Sequence, residues 1–165
     1  MDMKKVIKQA FITAITAVSC LYITNWFKLP QGIWAVMSSI VVMQADAKAT
    51  ISASWMRIIG TLVGALIGGL FLSLWGYHGW SLGLGVGIVV VICALLKLIE
   101  SYRIAAVTVA VIMLTGHADA SWTTAIYRFL EVFLGILVAL AISALFNPSY
   151  VAQRLSQIFN FRKDR

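Results

Sequence analysis

The chain has 165 residues, of which 61% are apolar and only 12% charged, and its mean hydropathy is +0.93. That balance excludes an ordinary soluble domain and predicts an all-α integral membrane protein. A net charge of +7 does not point to nucleic acid, because the basic residues stand between apolar runs and at the C-terminal tail, not on one soluble face.

Six apolar runs follow one another: Phe11–Phe27, Ile33–Ala45, Ile58–Trp75, Leu82–Leu96, Ile104–Gly116 and Ala125–Phe146. They predict six membrane spans in one transmembrane domain over residues 1–148, with a basic tail over 149–165. The second and fifth runs, about 13 residues each, fall short of the roughly 20 that cross the hydrocarbon core. Each must borrow polar flanks or form a broken helix lining a cavity, since unpaired backbone cannot face lipid. The Lys4-Lys5 and Lys8 start resembles a signal-peptide n-region, and Ala17-Val-Ser-Cys20 resembles a lipoprotein cleavage site. The apolar run nevertheless continues through Trp26-Phe27, so the segment reads as a retained anchor. Cys20 and Cys93 lie inside apolar runs and read as packing residues, with no disulfide expected.

With the amino terminus inside, six spans leave eleven of the thirteen basic residues in cytoplasmic segments, which predicts both termini cytoplasmic. Trp26, Trp34, Trp75, Trp80 and Trp122 then fall at the outer interface and Trp55 at the inner one, as an anchoring aromatic belt. After Asn147-Pro148, Val151, Leu155 and Ile158 at helical spacing beside Arg154, Arg162 and Lys163 predict an interfacial helix on the anionic inner leaflet.

The most specific stretch is Trp34 to Phe71. Arg57 stands at the mouth of the third run, where it reads either as a snorkelling cation or as a planar fork for a carboxylate. Gly60, Gly64 and Gly68 share one helix face and suit close helix approach in lipid, together with Thr61; Gly83 and Gly87 do the same on the fourth run. A homo-oligomer, with a dimer favoured, is expected from those faces and from how little protein shields a polar path, the alternative being that the faces pack within one subunit. Gly83-Leu-Gly85-Val-Gly87 lies within an apolar span and is no phosphate cradle.

Shifting the sequence by 71 residues overlays the second and third runs on the fifth and sixth, with eight identities over the forty positions from Ile33 to Leu72. Arg57 falls on Arg128 and Gly64 on Gly135. Three spans per copy require the second copy to be inverted, giving a 3+3 inverted repeat with a substrate site between the halves near the midplane. Arg128 and Glu131, three apart, share a helix face and read either as a neutralised structural pair or as a proton-coupled anion site. Gln44 and Thr108 join Arg57, Arg128 and Glu131 as candidate substrate contacts. Asp46, Lys48, His117 and Asp119 end the two short runs, as solvated turns or as gates. His78 reads as a turn residue, and Lys97, Glu100 and Arg103 as an inter-helix turn. No nucleophile beside a base, metal-ligand cluster or cofactor motif is present, so no enzyme activity and no cofactor are expected.

Trp34-Ala35, Gln44, Arg57, Gly60-Thr61-Leu-Val-Gly64, Arg128, Glu131, Gly135 and Asn147-Pro148 together resemble the bacterial fusaric-acid-resistance and aromatic-acid-exporter superfamily, distantly similar to plant aluminium-activated malate channels. The resemblance implies export of small organic, chiefly aromatic, carboxylates across a bacterial inner membrane. A periplasmic adaptor is an admissible partner, because many members carry large soluble domains or two membrane halves. A passive anion channel and a non-transporting scaffold or accessory subunit are the alternative functions.

Overall fold

A computed structural model describes residues 3–29, 32–44, 46–98, 101–116 and 121–146. Asn147-Pro148, the tail 149–165, Glu100, His117 and Asp119 lie outside the described residues. Six helices form the fold, with no strand among the described residues: α1 (Met3–Trp26), α2 (Ile33–Val42), α3 (Ala47–Trp75), α4 (Gly79–Leu95), α5 (Tyr102–Thr115) and α6 (Ser121–Phe146).

Among the described residues three stretches are long and apolar enough to cross a membrane, Val6–Trp26, Ala47–Trp75 and Trp122–Phe146, which makes this a membrane-embedded, multi-pass chain. The expectation of two short runs becomes three short helices: α2 has 10 residues, α5 has 14 and α4 has 17. At 1.5 Å per residue α2 is about 15 Å long, half the hydrocarbon thickness.

The long helices start earlier than their apolar runs. α3 begins at Ala47, eleven residues before Ile58, because its polar first turns keep their hydroxyls within the helix. Thr50 Oγ1 donates to the Asp46 carbonyl at 3.2 Å, and Ser54 Oγ to the Thr50 carbonyl at 2.7 Å. Arg57 therefore does not stand at a helix mouth: it lies ten residues, about 15 Å, past the start of α3.

The core divides into two clusters. Ile12 and Cys20 of α1 pack with Ala35 and Val42 of α2 and Val132, Ile136 and Ala139 of α6. Val89 and Cys93 of α4 pack with Ala105, Val109 and Met113 of α5 and Phe71 of α3. Each cluster thus holds two consecutive helices and the third helix of the other half of the sequence, and α3 and α6 cross between them around Ala65, Leu72, Ile112 and Ala125. The two cysteines lie in different clusters, both fully buried. α1 and α4 also end alike. Lys28 (φ 50°) and Lys97 (φ 58°) take the left-handed conformation, and the following Leu29 and Leu98 amides donate back to the Thr24 and Cys93 carbonyls at 3.2 and 2.8 Å. This is the Schellman closure that satisfies the last carbonyls of a helix.

Candidate functional site

Four glycines decide which helices surround the site. A Cβ on Gly60 would stand 2.8 Å from the Ser101 carbonyl oxygen, one on Gly64 2.5 Å from that of Ala105, and one on Gly68 3.2 Å from the Val109 Cα. The glycine face of α3 is thereby filled by α5 of the same chain, which is the packing within one subunit, one of its two readings. On α6, a Cβ at Gly135 would collide with the backbone of Ala35, so α2 is seated there in the same way. The Gly83 and Gly87 positions on α4 have nothing within 4 Å.

These approaches enclose a cavity of about 170 Å³ between α2, α3, α5 and α6, lined among others by Trp34, Arg57, Thr61, Arg103, Thr108 and Arg128. Arg57 is half-buried and its Nε donates to Ser38 Oγ on α2 at 3.3 Å. Thr108 is buried beside it, its hydroxyl donating to the Ile104 carbonyl at 2.8 Å.

Arg128 is only 6% exposed, and its guanidinium carbon stands 3.0 Å from the ring centroid of Trp34. Its buried Nε and Nη1 have no hydrogen-bond partner. An aromatic face stabilises a cation through the ring quadrupole but accepts none of its in-plane N–H bonds, so those donors remain available to an anion. Glu131 is 1% exposed and lies near enough to attract Arg128, while Arg57 lies near enough to repel it. Glu131 and Arg128 also line a second cavity of about 130 Å³, with Thr115, Thr123, Thr124 and Tyr127. Arg128 is common to both.

Of the residues singled out in the sequence, Arg57, Thr61, Thr108 and Arg128 meet around one cavity, and Glu131 borders the next. Gln44, Asp46 and Lys48 do not join them. All three are exposed at the α2–α3 connection, where the Gln44 side-chain amide donates to the Val41 carbonyl at 3.3 Å. His117 and Asp119 lie outside the described residues. Three residues acquire a place there that sequence reasoning missed: Trp34, Arg103 and Ser38. The other five tryptophans are 45–85% exposed, whereas Trp34 is covered further and lies against Arg128. Nothing local marks it, because every tryptophan here sits near the end of an apolar run.

A family model described as fusaric acid resistance protein-like matches residues 10–142. Among curated proteins, the chain is 23% identical over 162 residues to the UPF0421 protein SSP0904 of Staphylococcus saprophyticus, covering 98% of this chain and 48% of that protein. It is 29% identical to the UPF0421 protein YgaE of Bacillus subtilis, over 84% of this chain and 39% of that one. An uncharacterized protein of Schizosaccharomyces pombe is 30% identical, over 78% of this chain and 11% of its own length. The chain thus spans less than half the length of these relatives. No solved structure matches it.

Proposed function

The chain belongs to the fusaric acid resistance protein-like family, and from that premise we propose that it moves small organic carboxylates across a bacterial inner membrane by way of the cavity between α2, α3, α5 and α6. The family and the apolar helices support a role in membrane transport. The observation that carries the proposal is Arg128, buried with two nitrogens that lack an acceptor, on a cavity it shares with Arg57 and Arg103. A buried guanidinium with two unpaired nitrogens is costly, and an anion binding at that place offsets the cost. A cavity of about 150 Å³ holds benzene, so 170 Å³ suits a one-ring carboxylate.

In this reading the two sequence halves are inverted repeats. Supporting it, exchanging α1 with α4, α2 with α5 and α3 with α6 turns one core cluster into the other. Arg57 answers to Arg128 and Thr61 to Val132 across the cavity, at the 71-residue offset of the sequence repeat. The substrate then sits on the axis between the halves. Glu131 neutralises Arg128 in the empty state and, when protonated, favours anion loading, which makes the transporter proton-coupled in the export direction. Both termini are cytoplasmic in this scheme. The open Gly83 and Gly87 face of α4 supplies a dimer contact, and a periplasmic adaptor completes export where two membranes are crossed.

A passive channel differs by having no need of Glu131, and an accessory subunit by having no need of either arginine. The test is flux of benzoate and related aromatic acids in liposomes for the wild type, Arg57→Gln, Arg128→Gln and Glu131→Gln. Carrier function predicts loss of flux in Arg57→Gln and Arg128→Gln, and flux that no longer depends on the proton gradient in Glu131→Gln. Flux equal in all four chains, or none while the wild type stays folded, would end the carrier reading.

A further inference from the structure

Trp34 and Arg128 form a unit whose geometry reaches beyond a single binding cavity. The indole face covers one side of the guanidinium, leaving its N–H groups in the plane, where a carboxylate oxygen meets them. Two of those nitrogens are buried and unpartnered. The same guanidinium borders both cavities. One is lined by Arg103 and Ile104 at the first turn of α5, the other by Ile112 and Thr115 at its last turn. Arg103 and Thr115 are twelve residues apart on that helix, about 18 Å along its axis. Arg128 is therefore a partition between two compartments that lie toward opposite ends of α5.

We propose that Trp34 is the positioning residue of the anion path: it holds the Arg128 guanidinium rigid in the partition, so that one set of N–H donors receives a carboxylate first from one cavity and then from the other. The second cavity is accordingly a second binding station for the same anion, with Thr123 and Tyr127 supplying hydroxyls around the shared arginine and Glu131 protonated while the anion is there. This rests on the anion-transport reading. A flexible arginine loses more freedom on binding than one already fixed against a ring, so the backing raises affinity by preorganisation. Trp34 lines the first cavity and touches the second only through Arg128.

The probe is benzoate, in two measurements on the full chain. In the first, the protein carries 5-fluorotryptophan, and the Trp34 signal is the one missing from Trp34→Phe. A saturable shift of that signal on benzoate titration, abolished in Arg128→Gln, is expected. In the second, KM and maximal rate are measured for benzoate presented to either membrane face. Trp34→Leu should raise KM by about tenfold from both faces with little change in maximal rate, the loss corresponding to one desolvated cation–π contact, and Trp34→Phe should restore most of it. A silent Trp34 signal in a chain that transports benzoate, or a KM change from one face only, overturns the inference and leaves the transport function standing. A saturable, Arg128-dependent shift without flux supports the positioning role and removes transport. A silent signal without flux overturns both.

Discussion

Gly64 of α3 faces the backbone of Ala105 on α5 so closely that a Cβ would stand 2.5 Å from the carbonyl oxygen and 2.7 Å from the Thr108 Cβ. Neither neighbour is the far end of a flexible side chain, so α5 itself must move to admit a methyl group. Gly64→Ala should therefore destabilise the protein by about 1–3 kcal/mol, the cost of overpacking, despite the better helix propensity of alanine. Gly83→Ala meets nothing within 4 Å and should leave stability unchanged or slightly raised. Thermal unfolding in mild detergent compares the two, and equal midpoints would refute the contact between α3 and α5.

The Arg57 Nε to Ser38 Oγ bond at 3.3 Å links α3 to α2 beside the cavity. A hydrogen bond to a charged group is worth about 1.5–3 kcal/mol, and here it also orients the guanidinium. Ser38→Ala should raise the KM for benzoate by roughly tenfold or more while the protein stays folded, whereas Ser38→Thr keeps the hydroxyl and most of the affinity. Arg57→Lys keeps the charge but loses the planar fork, and should resemble Arg57→Gln more than the wild type. Unchanged KM in Ser38→Ala would show that Arg57 needs no such orientation.

How far the fold could be read follows from the range of each signal. Apolar runs and the Gly60, Gly64 and Gly68 spacing are local, and they located α3 and its packing face. What fills that face is not local: Ala105 and Val109 come from a helix forty residues on, and no sequence pattern separates a neighbour in the same chain from one in another copy. Helix starts misled because Ser and Thr look like loop residues until their hydroxyls bond back to the helix, as at Thr50 and Ser54. The site was half legible. A buried Arg and Glu three apart on one helix stand out in an apolar run, but Trp34 lies ninety-four residues before Arg128 and looks like any interfacial tryptophan.

Both native cysteines are fully buried, so single cysteines placed elsewhere report sidedness in a Cys20→Ala/Cys93→Ala background. Lys48 and Lys97 are exposed at the ends of α3 and α4 that should face the cytoplasm, and His78 is exposed at the opposite end of α4. A membrane-impermeant maleimide added to intact cells should label Cys substituted for His78 and not for Lys48 or Lys97. The reverse pattern would invert the protein in the membrane. Thr50 and Ser101 are buried and report nothing either way.

Arg128 and Glu131, 6% and 1% exposed on α6, pose the last question: whether the charges are kept for stability or for transport. Removing one partner of a buried pair leaves the other uncompensated and costs about 3–5 kcal/mol, whereas replacing both by apolar residues of similar volume is often neutral or stabilising. Glu131→Leu and Arg128→Met should each lower the unfolding midpoint, and the double variant should recover most of the loss. The coupling in that double-mutant cycle should then fall at the upper end of the roughly 0.5–3 kcal/mol measured for contacting groups. Additive losses would mean that the two side chains do not act as a pair. Because the double variant retains α6 and its seat for α2 at Gly135 but offers an anion no buried cation on that helix, it should fold, assemble and move no benzoate. A double variant that folds and still transports would transfer the anion's binding to Arg57 and Arg103 alone.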